Sequence, residues 1–92
     1  MTDDDPVVVP ITSELDLHSF QPRDIPSVVI EYLHQAVTHG FTQVRIVHGR
    51  GRGVQRGIVQ SVLDQRDEVR EFWDDPASHL GATIVRLAQR PE

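Results

Sequence analysis

The 92-residue chain contains no cysteine and no lysine, and it has no long apolar run. Without cysteine there can be neither a disulfide nor a thiolate metal site. A membrane-spanning helix needs about 18 consecutive apolar residues, so we expect no membrane segment. The start of the chain is acidic and has only three consecutive valines, which argues against a signal peptide. We therefore expect a cytoplasmic protein.

Positive charge is also scarce, but it is concentrated in one region. The formal net charge is −5, which argues against indiscriminate nucleic-acid binding by the whole surface. Residues 43–70 nevertheless carry six arginines against three acidic residues. Arginine suits bidentate contact with phosphate. The absence of lysine is equally what a general compositional bias would produce.

The centre of this region is a glycine-rich stretch. An apolar run typical of a strand leads into the sequence His-Gly-Arg-Gly-Arg-Gly at residues 48–53, which we call the glycine loop, and a helical pattern follows. Close backbone approach, exposed N–H groups and a helix N-terminus together favour anion binding. Alternatively, the glycines only supply positive φ angles in a tight connection. The predicted phosphate-binding residues are Gly49, Arg50, Gly51, Arg52, Gly53 and Arg56.

The glycine loop does not match the established nucleotide-binding patterns. No Gly-Lys-Ser/Thr follows it, so it is not a Walker A loop. A chain of 92 residues also leaves no room for a nucleotide domain beside a substrate domain. We therefore expect no nucleotide cofactor.

The periodicity of apolar residues predicts a two-layer α/β domain with the element order βαβαββ. A strand, a helix and a second strand form a right-handed unit, so the first two strands should be parallel. The short link between the last two strands favours an antiparallel pair. The predicted strands are residues 13–18, 42–48, 69–73 and 82–88, and the predicted helices are residues 25–39 and 54–65.

The boundaries of the domain and of its helices follow from local signals. Residues 1–10 predict a flexible acidic tail, which leaves residues 11–90 as a single domain. Asp24 is predicted to cap the first helix and Gly40 to follow its end. Gly57, inside the second helix, should cost about 1 kcal/mol relative to alanine. Close approach of another group to this helix would explain its presence.

Asp16 and His18 alternate onto one side of the first strand. They form either an acid–base pair, in which a carboxylate orients an imidazole, or a polar strand face that bonds to the next loop. The carboxyl ends of neighbouring parallel strands meet at one edge of a sheet. The topology therefore predicts that Asp16, His18, His48 and the glycine loop converge at that edge.

The other histidines and acidic residues give weaker signals. His34, His39 and His79 lack metal-ligand spacing, and we predict no zinc site. A divalent cation such as Mg²⁺, held by Asp16 and substrate phosphates, is compatible with the sequence. Aromatic residues Phe72 and Trp73 are predicted to lie in the core, and the following Asp74 and Asp75 to be solvated.

Three ordered motifs resemble those of the Smr (small MutS-related) domain family, most closely its stand-alone, single-domain form. In chain order they are Leu15-Asp16-Leu17-His18, the loop from His48 to Gly53, and Gly81-Ala82-Thr83-Ile84-Val85. The resemblance covers about residues 13–88. It implies a βαβαββ sandwich in which a four-stranded mixed sheet has both helices on one face and an antiparallel last strand.

The resemblance also implies a function, namely nucleic-acid processing by a DNA- or RNA-nicking endonuclease. It implies Asp16, His18 and His48 as catalytic residues. At residue 19 the family commonly has glycine, and this chain has Ser19. The alternatives are a non-catalytic nucleic-acid-binding module and a protein-interaction adaptor. We expect nucleic acid as the partner and favour a monomer.

Overall fold

The computed structural model describes residues 11–49, 51 and 53–88. The predicted tail at residues 1–10 lies outside this part of the chain, as do Arg50 and Arg52. The element order among the described residues is the predicted βαβαββ, with short 3-10 turns before α1 and before β4. The elements are β1 (Glu14–Asp16), α1 (Ile25–Thr38), β2 (Gln43–Val47), α2 (Val54–Asp64), β3 (Val69–Asp74) and β4 (Ala82–Leu87).

The four strands form one mixed sheet in the order β1-β2-β4-β3. Strand β1 is parallel to β2, and β4 is antiparallel to both β2 and β3. The predicted fold class is confirmed, including the parallel first pair and the antiparallel last strand. Strand β2 lies inside the sheet, which agrees with its apolar residues on both faces.

The two faces of the sheet differ in what covers them. Alternate residues of β2, Val44 and Ile46, are buried in a core that also contains Leu33 of α1 and Val59 of α2. Both helices therefore pack on this face. The opposite face, the open face, carries Arg45, which pairs with the carboxylates of Glu14 and Asp75. No helix in the described part of the chain combines the length and apolar character needed to cross a membrane.

The alternation of β3 corrects one prediction about its aromatic residues. Phe72 is half-buried and packs against the core, as predicted. Trp73 is 38% exposed because the next position of a strand points to the other side, here the open face beside Ile84.

The start of α1 differs from the prediction. Asp24 does not cap the helix with its side chain, because a 3-10 turn at Pro22–Asp24 leads directly into α1. The backbone of Asp24 is already helical, with φ −92° and ψ −14°. A capping side chain reaches the first-turn N–H groups from an extended backbone, which Asp24 lacks. Pro26 does lie in the first turn, as predicted.

The end of α1 is as predicted. Gly40 adopts φ +84°, and its N–H donates to the carbonyl of Val37 at 3.0 Å. The N–H of Phe41 donates to the carbonyl of Ala36 at 3.0 Å. These two bonds form a Schellman motif, and Phe41 packs back on the core.

The glycine inside α2 has no packing partner. Gly57 is exposed, and no atom that would crowd an added Cβ lies within 4 Å of that position. The predicted close approach to this helix is therefore wrong for the described residues.

Replacing Gly40 and Gly57 by alanine should have opposite effects on stability. Gly40→Ala should lower the free energy of unfolding by about 1–2 kcal/mol, because alanine at a positive φ is strained. Gly57→Ala should raise it by about 0.5–1 kcal/mol, because alanine favours a helix interior. Neither site is sterically crowded, so the pair isolates the backbone effect. Urea denaturation measures both changes, and equal signs would contradict this explanation.

Candidate functional site

A cleft of about 730 Å³ lies where the carboxyl ends of β1 and β2 meet the start of α2. Val54 and Gln55 of α2 contribute to its wall. The predicted site residues that line it are Asp16, His18, His48, Gly49, Gly51 and Gly53. The convergence predicted from the topology is therefore present.

The register of the parallel pair brings the two chain segments together. Asp16 is the cross-strand partner of Val47, and the N–H of Leu17 donates to the Val47 carbonyl at 2.9 Å. His48 directly follows β2 and His18 follows Leu17, so both histidines lie where the chain leaves the sheet. Leu17 itself is fully buried, which anchors this end of β1 in the core.

Asp16 and His18 form a hydrogen-bonded pair. One oxygen of Asp16, Oδ1, accepts the backbone N–H of His18 at 2.9 Å and lies 2.9 Å from Nδ1 of its ring. These bonds, the backbone one first, hold the pKa of the Asp16 carboxyl below its ordinary value. A carboxylate only accepts, so Nδ1 carries the proton and Nε2 of a neutral ring has the free lone pair. The His18 side chain is 79% exposed, so its ring lies at the surface of the protein.

Ser19 extends this pair by one group. Its Oγ lies 3.3 Å from Nε2 of His18, and it donates to that nitrogen because Nε2 is the acceptor. Glycine at this position would leave Nε2 to solvent. The replacement noted in the sequence therefore falls directly on the atom that would act as a base.

His48 is in a different environment. It is only 4% exposed, and both ring nitrogens are engaged within the protein. Nδ1 lies 3.0 Å from the Gly49 carbonyl, and Nε2 lies 2.9 Å from the hydroxyl of Thr83. Burial lowers the pKa of the His48 imidazole, so the ring is neutral at pH 7. This arrangement suits positioning of the loop rather than exchange of a proton with a ligand.

The first peptide of the glycine loop is hydrogen-bonded to Gly81, the residue before β4. The N–H groups of His48 and Gly49 both donate to the Gly81 carbonyl, at 3.0 and 2.9 Å. The Gly49 amide is therefore already bonded and contributes position rather than a donor. Gly49, Gly51 and Gly53 all have positive φ angles, so the glycines do supply backbone freedom, as the alternative interpretation required.

The start of α2 faces the cleft without a side-chain cap. Gly53 is the N-cap residue, and it has no oxygen with which to accept the first-turn N–H groups. Val54 and Gln55, the first two residues of the helix, line the cleft. The helix N-terminus therefore directs positive potential into the same space as the Asp16–His18 pair.

Arg56, predicted to bind phosphate, is paired within the protein. Its Nε and NH2 donate to the two oxygens of Asp74, each at 2.7 Å. Its hydrogen bonds lower the pKa of the Asp74 carboxyl. The prediction that Asp74 and Asp75 are solvated is wrong, because β3 continues to Asp74 and places its side chain beneath α2. Asp75 accepts from Arg45 at 2.6 Å.

The metal prediction rests on Asp16. The described residues include no group of three or more histidine, cysteine or acidic side chains that could hold a metal ion. Mg²⁺ commonly uses one or two carboxylates together with substrate phosphates. Asp16, whose Oδ1 bonds to His18, would then supply its other oxygen. A divalent cation stays a prediction.

The sequence pattern of the Smr domain family matches residues 15–88. The chain belongs to this family. It is 34% identical over 79 residues to the endonuclease MutS2 of Staphylococcus epidermidis and 37% identical over 79 residues to that of Geobacillus kaustophilus. In each case the match covers 84% of this chain but only 10% of the relative. The family assignment made from the three motifs is confirmed.

Solved structures of Smr domains have the same fold. The Smr domain of Thermus thermophilus MutS2 superimposes with a TM-score of 0.79 and 29% identity, over 87% of this chain and 100% of that one. YdaL, a stand-alone small MutS-related protein from Escherichia coli, gives a TM-score of 0.72 and 27% identity, over 87% and 67%.

The buried state of His48 predicts a pH dependence of stability. Its folded pKa lies below the ordinary value of 6.5, so the unfolded chain binds a proton at a pH where the folded protein does not. The contribution of the neutral His48 ring to the free energy of unfolding is therefore complete above about pH 6.5. It is lost as the pH falls from there toward the pKa of His48 in the folded protein. The carboxylates with lowered pKa values change the free energy of unfolding only below about pH 4.

Urea denaturation at about pH 7.5 and about pH 5.5 measures this effect. The wild-type protein should lose stability between the two, and His48→Gln should lose less. The exposed His34→Gln serves as the control and should behave like the wild type. An equal loss in His48→Gln and wild type would show that His48 is not responsible.

Proposed function

We propose that the chain binds nucleic acid in this cleft and hydrolyses a phosphodiester bond of its backbone, as a nicking endonuclease. The observation that supports this most strongly is the shared position of the Asp16–His18 pair and the uncapped start of α2. A base and an anion-binding helix end in one cleft suit attack on a phosphate. The relatives named endonuclease MutS2 support the same reaction class.

The proposed chemistry uses His18 as the general base. Nε2 takes a proton from the attacking water while the water oxygen bonds to phosphorus and the bond to the leaving oxygen breaks. The resulting imidazolium is stabilised by Asp16 through Nδ1–H, and its proton passes to the leaving oxygen. Asp16 orients the ring and stays ionised.

The negative charge of a bound phosphate must be stabilised by hydrogen-bond donors and positive charge in the cleft. The first-turn N–H groups of α2 supply part of the positive potential. Arg50 and Arg52 lie outside the described residues, and we propose them as phosphate ligands because of their place within the glycine loop. Arg56 is left out of this set because Asp74 occupies its guanidinium. His48 would support the loop from beneath.

A second candidate function is binding without cleavage. Ser19 favours it, because its hydroxyl occupies the nitrogen that would accept the proton. A nucleophile must displace this hydroxyl before His18 can act. The two candidates share a binding site and differ in turnover.

Replacing His18 separates cleavage from binding. With supercoiled plasmid and with structured RNA as substrates, His18→Ala should reduce nicking by about 10²- to 10⁴-fold, the usual contribution of a general base. Asp16→Asn should reduce it in the same direction because the ring loses its ionised partner. His34→Ala, an exposed histidine on α1, is the matched control and should nick at the wild-type rate. Equal nicking by His18→Ala and wild type would exclude the catalytic role.

Affinity for the same substrates gives the complementary measurement. Arg50→Ala and Arg52→Ala should each weaken binding and reduce the slope of log affinity against log salt by about one unit. His18→Ala should retain the slope. Binding without any nicking by wild type would favour the second candidate, and no binding at low salt would exclude both.

A further inference from the structure

A chain of polar side chains runs beneath the cleft from β3 to the glycine loop. Gln60 of α2 stands between two residues of the sheet, with Nε2 3.0 Å from Asp74 Oδ1 and 3.1 Å from Thr83 Oγ1. Thr83 in turn lies 2.9 Å from His48 Nε2, and Arg56 holds Asp74 from the other side. Thr83 is fully buried. We call these five residues the polar network.

The position of these residues follows from the strand register. Thr83 of β4 pairs with Ile46 of β2 on one side and with Asp74 of β3 on the other, so the three side chains point to the helix-covered face. Arg56 and Gln60 are four residues apart on α2 and therefore share one face of that helix. The polar network thus links α2, β3 and β4 to the end of β2.

Two groups that only accept, the Asp74 carboxylate and the Gly49 carbonyl, set the direction of the hydrogen bonds among these residues. The Asp74 carboxylate only accepts, so Gln60 turns its amide nitrogen toward it and uses its other hydrogen on Thr83. The Gly49 carbonyl also only accepts, so Nδ1 of the neutral His48 ring must carry the proton. The Thr83 oxygen therefore accepts from Gln60 and donates its own hydrogen to Nε2 of His48. Nε2 is then the acceptor nitrogen of the ring, and Nδ1–H donates to the Gly49 carbonyl at 3.0 Å.

We propose that the polar network fixes His48 as its Nδ1–H tautomer and thereby holds Gly49, at the start of the glycine loop, in its binding geometry. Thr83, Gln60 and Asp74 are then positioning residues of the site. This inference rests on the proposed function for its effect on affinity. The protonation of the two His48 ring nitrogens and the exchange rate of the Gly49 amide can be measured in the free protein, independently of that function.

The loop is held at its first peptide by this arrangement. The Gly49 carbonyl receives the His48 ring proton, and the Gly49 N–H is bonded to Gly81. Both polar groups of the residue are therefore committed, which fixes its positive φ. Loss of the hydrogen bond from the His48 ring would release the Gly49 carbonyl and leave only the bond from the Gly49 N–H to Gly81.

The test compares two substitutions of Thr83 in the full chain. Thr83→Val keeps the shape but removes the hydroxyl, and Thr83→Ser keeps the hydroxyl. Nitrogen-15 spectra of the histidine rings should show protonated Nδ1 and unprotonated Nε2 at His48 in wild type and in Thr83→Ser. Thr83→Val should lose this pattern, and its Gly49 amide should exchange with solvent about tenfold faster.

Two further variants complete the design. Gln60→Met removes the donor to Thr83 at similar volume and should shift the ring pattern in the same direction. The exposed Thr42→Val removes a hydroxyl outside the cleft and should change neither readout. Thermal melting shows that each variant folds.

Affinity for a short fluorescent oligonucleotide at low salt supplies the functional arm. Thr83→Val should bind about five- to tenfold more weakly than wild type, and Thr83→Ser should restore binding. An unchanged ring pattern and exchange rate in Thr83→Val would overturn the inference. If wild type binds no nucleic acid, the proposed function fails, and the ring and exchange measurements still decide the inference.

Discussion

The site depends on the parallel pairing of β1 with β2. The helix α1 connects the two strands, and their parallel orientation brings the carboxyl ends of both to one edge. The hydrogen bond from the Leu17 N–H to the Val47 carbonyl is the last one between the described residues of these two chain segments at that edge. Beyond it, both segments leave the sheet. Asp16 at the end of β1 and His18 just after it therefore lie beside the glycine loop that follows β2. The chemistry of the cleft is a consequence of this topology.

Two histidines at this edge receive different properties from their surroundings. His18 projects into solvent, where the Asp16 carboxylate orients its ring through Nδ1 and Ser19 contacts Nε2. His48 lies beneath the loop with both nitrogens bonded, and burial lowers its pKa. The exposed ring suits proton transfer, and the buried ring suits support of the backbone. We therefore propose a chemical role for His18 and a structural one for His48 within the same cleft.

Apolar periodicity predicted the elements, their order and the convergence of the site, because burial on one face sets these features directly. It could not predict which polar groups pair between layers, since that depends on register and on the exact ends of strands. Arg56 was therefore predicted to face an anion, although one further residue of β3 brings Asp74 against it. The Thr83 and Gln60 contacts have no sequence signal for the same reason. The misassigned cap at Asp24 came from a 3-10 turn that periodicity does not distinguish.

We propose that the cleft, and not the open face of the sheet, receives a nucleic-acid phosphate. Titration of the nitrogen-15-labelled protein with a short oligonucleotide, followed by backbone amide shifts, tests it most directly. If the phosphate binds in the cleft, the largest amide shifts fall on Gly51, Gly53 and Val54, which line it. Shifts confined to the open face, at Trp73 and Arg45, would contradict it.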